Sequence, residues 1–300
     1  MTAIADNKWE SLIARALPHH ESRPQQVEMA EAVASAMANR RHLMVEAGTG
    51  VGKSFAYLLP AIDRILSHNE RVLIATNTIN LQEQLVEKDI PALRAVFDQP
   101  FKAVLVKGRN NYIGLRRLMQ TSRRQSAVFS SQHALKQLHE IEDWAYDTHD
   151  GSLSDLDFQP SPEVWSRVRS ESNNCMGSRC ATYEKCFYQR ARRKADEAQL
   201  LIVNHALFFA DLALRRQDVT FLPDYDHVIF DEAHNIESVA GDHMGLSVSN
   251  NQLHTLIRGI YNERTGRGFL AMVDCPQVIR IAADLQARVD ALFDEFRRAY

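Results

Sequence analysis

The chain has 300 residues, of which 45% are hydrophobic and 24% charged, and its formal net charge is -3. This composition is ordinary for a soluble globular protein that buries at least one sizeable core, and it predicts two domains. The N-terminus lacks the basic start and apolar run of a secretory signal. The most apolar stretch, LLIVNHALFFADLAL, is shorter than a membrane span and is interrupted by Asn204, His205 and Asp211. The sequence therefore predicts a cytosolic protein with no membrane partner.

A glycine-rich loop lies between an apolar run and a helical pattern in the segment RRHLMVEAGTGVGKSFAYLLPAI. Residues 43–45 predict a buried strand, and residues 55–62 predict the start of a buried helix. In such a loop, glycines let backbone N–H groups converge on nucleotide phosphates, a Lys reaches the β- and γ-phosphates, and a Ser hydroxyl ligates Mg²⁺. The usual pattern G-x-x-x-x-G-K-[ST] fails only at its first position, where a small residue keeps the turn plausible. The predicted ATP-binding residues are Ala47, Gly48, Thr49, Gly50, Val51, Gly52, Lys53 and Ser54.

The segment 102–138 contains no Asp or Glu. On charge alone it is either a solvated helix face or a surface that follows a phosphate backbone. Its eight positive charges are Lys102, Lys107, Arg109, Arg116, Arg117, Arg123, Arg124 and Lys136.

Three of the four cysteines, Cys175, Cys180 and Cys186, are clustered with the spacing C-x4-C-x5-C. In a cytosolic chain this clustering favours metal or redox chemistry over a disulfide framework. Such sites usually take four protein ligands. Cys275 is far along the chain and next to a proline, so we expect it to be a small buried hydrophobe and not the fourth ligand.

A second half of the nucleotide site is predicted in HVIFDEAHNIE, where Asp231 and Glu232 directly follow an apolar run. A carboxylate at the end of a buried parallel strand can face the phosphate loop of a neighbouring strand. We expect Asp231 to hold Mg²⁺ through its water shell and Glu232 to orient or deprotonate the attacking water. Five apolar runs alternate with helical segments, which predicts a parallel sheet in an α/β fold: 43–45, 72–75, 103–106, 200–203 and 228–230.

The last segment, 277–300, predicts an amphipathic helix whose apolar residues follow three- and four-residue steps. The chain stops on this stripe without a Gly cap or a turn signal, so we expect that more chain follows. The stripe consists of Val278, Ile281, Leu285, Val289, Leu292, Phe296 and Tyr300.

The pairing of EAGTGVGKS with DEAH across a long cysteine-bearing insertion resembles the XPD/DinG family of superfamily 2 helicases. RPQQVEM resembles the family segment whose Gln reads adenine, with Gln26 at the matching position. VLIATNTINLQEQL resembles the strand and turn that touch nucleic acid, with Thr76, Asn77 and Gln82 at the matching positions. KGRNNY resembles the start of the family's insertion, and LLIVNHALF resembles the strand by which the chain returns from it.

The resemblance implies a RecA-like P-loop motor domain interrupted by a cysteine-bearing helical insertion, with the start of a helical arch domain at the C-terminus. The implied boundaries are 1–106 and 197–245 for the motor domain, 107–196 for the insertion and 246–300 for the arch. The implied activity is that of an ATP-dependent 5′ to 3′ DNA helicase in repair or replication, with Lys53, Asp231 and Glu232 as catalytic residues.

The implied partners are ATP, Mg²⁺ and single-stranded or forked DNA, with single-stranded-DNA-binding or other repair proteins as further partners of a monomer. In this context the acid-free segment becomes a predicted DNA-facing surface, with Arg109, Arg116 and Arg117 as candidate contacts.

The family's [4Fe-4S] cluster has four cysteine ligands, and the chain departs from that pattern. The first ligand position corresponds to Gly114, and the other three correspond to Cys175, Cys180 and Cys186. A cluster with three cysteines, a zinc ion with three cysteines and His133 or His139, and an insertion without metal all remain open.

Two functions of other classes also remain open. One is a nucleic-acid-binding module whose ATP site is regulatory or vestigial. The other is a P-loop kinase or small-molecule ATPase, which the DEAH box and the family-like TNT and VNH segments disfavour. If the chain lacks the second motor domain of a helicase, we expect it to bind nucleotide, to bind DNA weakly and to turn over little ATP.

Overall fold

The computed structural model describes residues 7–17, 21–48, 50–129, 131–245, 248–262, 264–265, 268–272 and 276–299. Thr49, Cys275 and Tyr300 lie outside the described residues. The chain divides into two compact units, Met1–His243 and Met244–Tyr300. No helix in the described part of the chain has the length and apolarity that a membrane crossing needs.

A parallel sheet forms the centre of the first unit, as the sequence predicts. Within the described residues its strands lie in the order β2, β3, β1, β4, and every neighbouring pair is parallel. The α/β fold class is therefore confirmed. The strands are β1 Val72–Thr76, β2 Ala103–Leu105, β3 Leu200–Asn204 and β4 His227–Phe230.

Helices connect and flank these strands. A π-helical turn at Leu85–Asp89 separates two of them, α4 and α5. The helices that begin in the first unit are α1 Lys8–Ala16, α2 Pro24–Ala38, α3 Lys53–His68, α4 Ile79–Gln84, α5 Ile90–Arg94, α6 Leu115–Arg123, α7 Gln125–Val128, α8 Gln132–Asp147, α9 Pro162–Val168, α10 Phe187–Glu197, α11 His205–Arg215 and α12 Ile236–Met244.

The buried strand predicted at residues 43–45 is wrong. These residues form no strand, and Met44 is 97% exposed. An apolar run becomes a strand only where a neighbouring strand takes up its backbone hydrogen bonds. Among the described residues β4 pairs with β1 alone, and nothing pairs with its other edge.

Alternate residues of the strands enter two different cores. Val72 and Ile74 of β1 pack with α1, α2 and α3 on one face, while Leu73 and Ala75 pack with α10 and α11 on the other. Successive side chains of a strand point to opposite faces, so a sheet covered on both sides needs continuous apolar strands. This explains why the strands read as unbroken apolar runs in the sequence.

The insertion between β2 and β3 has a hydrophobic core of its own. Two isolated antiparallel bridges, Tyr112 with Ser152 and Ile113 with Arg169, tie its first residues to its later loops. The buried core residues are Tyr112, Ile113, Leu118, Phe129, Ala134, Leu138, Ile141, Leu156, Val164, Trp165, Val168 and Phe187.

The second unit contains helices α13 Asn250–Ile260 and α14 Pro276–Ala299. Ser249 and Gln252 form a capping box that satisfies backbone groups at the start of α13. The predicted C-terminal helix is confirmed, but only part of its apolar stripe is buried. Val289 packs in a small core with Ile257, whereas Phe296 is 54% exposed.

Candidate nucleotide site

The phosphate loop leads directly into α3, which begins at Lys53. Gly50 has φ 81° and Gly52 has φ 87°, in the left-handed region that favours glycine. Gly48 has no such φ and open space around its Cα, so its backbone does not require glycine. The loop therefore places Lys53 and Ser54 on the first turn of a helix, where the helix dipole favours an anion.

Gln26 and Arg23 hold the loop from the side of α2. Gln26 is 2% exposed, and its Nε2 donates to the carbonyl of Gly52 at 2.9 Å. Arg23 donates from Nη1 to the carbonyl of Gly50 at 2.5 Å. Pro24 starts α2 at a position where no N–H is needed, so the helix begins directly after Arg23. The structure thus brings the predicted Gln26 to the phosphate loop, while Arg23 was missed.

The DEAH residues reach the same loop from the end of β4. The Nζ of Lys53 lies 3.9 Å from Oε1 of Glu232, and the Tyr57 hydroxyl donates to Oδ2 of Asp231 at 3.0 Å across 174 residues of sequence. Glu232 has φ 55°, a left-handed conformation that is uncommon outside glycine and concentrates at functional sites. The predicted Lys53, Asp231 and Glu232 are therefore neighbours.

Two further residues hold Asp231, and neither Tyr57 nor His205 was predicted as a site residue. Burial raises the pKa of Tyr57 well above its ordinary value, and the negative charge of Asp231 raises that pKa further, so the hydroxyl keeps its proton. His205 Nε2 donates to the carbonyl oxygen of Asp231 at 2.9 Å and lies 3.2 Å from the carbonyl oxygen of Ala75. Tyr57 lies one helical turn after Lys53, and that i, i+4 spacing is the signal that would have found it.

A cavity of about 260 Å³ opens beside the loop. Asp89, at the end of the π-helical turn, is 8% exposed in its wall. Burial raises the pKa of Asp89 above its usual value, against smaller lowering effects of Gln84 and Ser54. The lining residues are Leu17, Glu21, Arg23, Gln26, Gly52, Ser54, Phe55, Gln84 and Asp89.

This arrangement fits a Mg²⁺-nucleotide. A helix N-terminus and Lys53 offer positive charge to phosphates, while Asp231 and the Ser54 hydroxyl supply the oxygen ligands that Mg²⁺ prefers. Glu232 is within ion-pair distance of Lys53 and offers a carboxylate to a water molecule. These are the parts that phosphoryl transfer to water needs.

Known proteins are similar to this chain in sequence. Residues 23–140 match the family model described as DEAD/DEAH box helicase. The ATP-dependent DNA helicase YoaA of Haemophilus influenzae is 36% identical over 240 residues, which cover 79% of this chain and 37% of that protein. The chain belongs to the XPD/DinG family of DEAD/DEAH box helicases.

Two further family members are similar to this chain to about the same degree. YoaA of Escherichia coli is 36% identical over 83% of this chain and 38% of its own length. The ATP-dependent helicase DinG of Mycobacterium tuberculosis is 37% identical over 70% of this chain and 34% of its own length. The chain thus spans little more than a third of the length of these relatives.

The three clustered cysteines of this XPD/DinG chain line one small cavity of about 50 Å³ in the insertion, together with Gly114. The structure therefore brings the four positions of the predicted cluster together. Arg109 Nη2 donates to the Sγ of Cys175 at 2.8 Å, and Arg116 donates to the backbone carbonyl of Asn174. Arginine side chains thus bond to the loop that carries the first cysteine.

The residues as placed do not fit a metal centre. Within the described residues no group of three or more His, Cys, Asp or Glu side chains is arranged to hold a metal ion. Gly114 supplies no donor, and a Cβ there would lie 3.3 Å from both the Ser170 Cα and the Val168 carbonyl. His139, one of the two candidate zinc ligands, instead contacts Gln125 at 2.8 Å.

The six predicted DNA contacts are not equally accessible. Asn77 is exposed after β1, whereas Thr76 is fully buried and Gln82 is 4% exposed. Each predicted arginine has partners inside the insertion. Arg109 packs over the Tyr188 ring at 4.4 Å, Arg116 bonds the Asn174 carbonyl, and Arg117 pairs with Glu171.

Proposed function

We propose that the protein is an ATP-dependent DNA helicase, to which this chain contributes the nucleotide-binding motor domain. The observation that carries the proposal is the meeting of Lys53 with Glu232 at 3.9 Å beside Asp231, at the carboxyl edge of a parallel sheet. Three relatives named as ATP-dependent helicases support it. The domain boundaries at 107, 197 and 246 belong to the same proposal.

Hydrolysis in this proposal uses the chain's own groups. Lys53 binds the β- and γ-phosphate oxygens, and Ser54 and Asp231 hold Mg²⁺, which neutralises charge on the phosphates when it is bound. Glu232 accepts a proton from water as the water oxygen bonds to the γ-phosphorus and the bond to the β-phosphate oxygen breaks. Tyr57 and His205 keep Asp231 in place, and Gln26 recognises the adenine base.

The DNA substrate in this proposal is single-stranded or forked, and the motor moves 5′ to 3′ along it in cytoplasmic DNA repair. Asn77 is the exposed candidate contact after β1, and exposed Arg123 and Arg124 extend the acid-free segment. The other predicted contacts are either buried, as Thr76 and Gln82 are, or bonded within the insertion, as the arginines are. In this proposal they shape the DNA-binding surface. The protein works as a monomer together with single-stranded-DNA-binding or other repair proteins.

The cofactors of the proposal are ATP and Mg²⁺. An iron-sulfur cluster is not included, because the cysteines as placed do not fit one and the Sγ of Cys175 accepts a hydrogen bond from Arg109. Zinc is not included for the same reason.

The experiment measures DNA-stimulated phosphate release by the full-length protein. Glu232→Gln is expected to slow release by about 10²- to 10⁴-fold, because the general base is lost. Glu237→Gln makes the same change at an exposed position five residues later and is expected to leave the rate unchanged. Wild-type protein that binds DNA and ATP but releases no phosphate would favour the nucleic-acid-binding module and contradict the proposal.

A further inference from the structure

Asp89 is a buried carboxyl group that the proposed chemistry does not use. It is 8% exposed and lines the nucleotide cavity with Ser54 and Gly52. Its Oδ2 is buried and has no hydrogen-bond partner among the described residues. Buried polar atoms nearly always have a hydrogen-bond partner. We therefore expect this unpaired carboxylate oxygen to gain a hydrogen-bond donor when the cavity binds its ligand.

Ser54 is the hydroxyl placed to supply that donor. A serine hydroxyl has one proton and two lone pairs. If a lone pair ligates Mg²⁺, the proton must turn to another acceptor. Two acceptors are close to it in the fold: Tyr57 lies three residues later on the same helix, and Asp89 lines the same cavity as Ser54.

The carboxylate is the stronger of these two acceptors. Hydrogen bonds to an ionised oxygen are about twice as strong as those between neutral groups. The Tyr57 hydroxyl already donates to Asp231 at 3.0 Å and stays neutral, whereas Oδ2 of Asp89 is unpaired. The Ser54 proton therefore gains most by turning to Asp89.

We infer that Asp89 is a positioning residue of the nucleotide site: it accepts the proton of the Ser54 hydroxyl and so leaves a lone pair of that oxygen for Mg²⁺. The inference rests on the nucleotide site of the proposed function and adds a residue on the turn that follows the predicted DNA-contact segment. Asp89 reaches the cavity because the π-helical turn Leu85–Asp89 packs beside α3. Such turns occur frequently at functional sites.

The test measures the Kd of ATP for the full-length protein by calorimetry, once with saturating Mg²⁺ and once with EDTA. Asp89→Asn keeps the size of the side chain and removes the strong acceptor. We expect it to weaken binding about tenfold in Mg²⁺ and to leave the Kd in EDTA unchanged. Glu87→Gln, an equal change at an exposed position of the same turn, is the matched control and is expected to change neither value.

A double-mutant cycle with Ser54→Ala shows whether Asp89 acts through Ser54. In the Ser54→Ala background, Asp89→Asn is expected to cause no further loss. Asp89→Asn should also melt no lower than the wild type, because it removes a buried charge that lacks a counter-ion.

Three results would overturn the inference while the proposed function stands. They are an unchanged Kd in Mg²⁺, an equal loss with and without Mg²⁺, and an undiminished loss in the Ser54→Ala background. A wild-type protein that binds no Mg²⁺-ATP would overturn the proposed function itself.

Discussion

The nucleotide site and the cysteine cavity both depart from a motif at one position, and the two departures have different consequences. Ala47 replaces the first glycine of the phosphate loop, and the loop still forms because Gly50 and Gly52 supply the left-handed turns. Gly114 stands where a ligand is expected, and among the described residues no group of three or more His, Cys, Asp or Glu side chains is arranged to hold a metal ion. A position that shapes backbone tolerates another small residue, whereas a position that donates an atom does not.

The two regions also differ in what holds them together. The nucleotide site lies at the edge of a sheet whose strands are buried on both faces, and its residues come from distant parts of the chain. The cysteine cavity lies at the surface of the insertion, where arginine side chains bond the carbonyls of Asn174 and Ser166 and the thiol of Cys175. We expect the two regions to be stabilised independently, and the expected effects below run from the largest to the smallest.

Trp165→Ala is expected to destabilise the insertion by about 3 to 5 kcal/mol, because a large buried side chain leaves a cavity. Trp165 is 7% exposed, and its Nε1 donates to the Asn110 carbonyl at 3.0 Å. Hydrogen exchange should show lost protection within 107–196, while ATP binding is retained. Tyr146→Ala, at a 90% exposed aromatic residue, is the control. Loss of ATP binding together with the insertion would contradict independence.

Arg109→Ala is expected to lower the free energy of unfolding by about 1 to 2 kcal/mol. Its guanidinium bonds the Ser170 hydroxyl and the Cys175 thiol and packs over Tyr188. Urea unfolding followed by fluorescence measures the change, with Arg123→Ala as an exposed control. A loss no larger than that of the control would show that Arg109 does not hold the cysteine loop.

Acid is expected to weaken the motor core through Glu70. Hydrogen bonds from Arg64 and His227 lower the pKa of Glu70 from 4.5 to about 2. The stabilisation that these bonds give is complete above pH 4.5. It is lost as the pH falls from 4.5 towards 2, because Glu70 binds a proton more readily in the unfolded state than in the folded state. Glu70→Gln should flatten the pH dependence of unfolding in that window and cost about 1 kcal/mol at neutral pH. If Glu70→Gln leaves the pH dependence of the free energy of unfolding unchanged in this window, Glu70 is not its source.

Chelation is expected to have no effect. Protein purified anaerobically should contain neither stoichiometric iron nor stoichiometric zinc, and EDTA should not lower its Tm, because no group of three or more His, Cys, Asp or Glu side chains in the described part of the chain is placed to hold a metal. Gly114→Cys adds the missing sulfur and is the variant in which iron content should rise. Stoichiometric iron in the wild type would show that three cysteines are enough and would contradict the account of this cavity.

The sequence was informative where a pattern maps onto a regular element. Four of the five apolar runs are strands, and the loop and DEAH residues meet as expected. The run 43–45 failed because a strand depends on its neighbour, which an apolar pattern does not report. Asp89 could not be foreseen because its place in the cavity follows from the π-helical turn, for which the sequence gives no signal.

The predicted DNA contacts illustrate the same limit. Arg116 and Arg117 lie in an acid-free segment, and this composition is compatible with either a free cation or a bonded one. In the structure Arg117 donates to the Ser166 carbonyl and pairs with Glu171, an acid from a different part of the insertion. A count of charges along a sequence segment does not include the acidic residues that the fold brings to it from elsewhere in the chain.

The measurement that tests the central claim most directly is ATP binding by calorimetry in the presence of Mg²⁺, with and without Lys53. If the loop and the DEAH residues form a nucleotide site, Lys53→Ala should weaken binding by about 30- to 100-fold, because a charge-assisted contact to phosphate is lost. Lys8→Ala, which removes an exposed lysine paired with Asp63, should leave binding unchanged. Equal ATP binding by Lys53→Ala and the wild type would contradict the account.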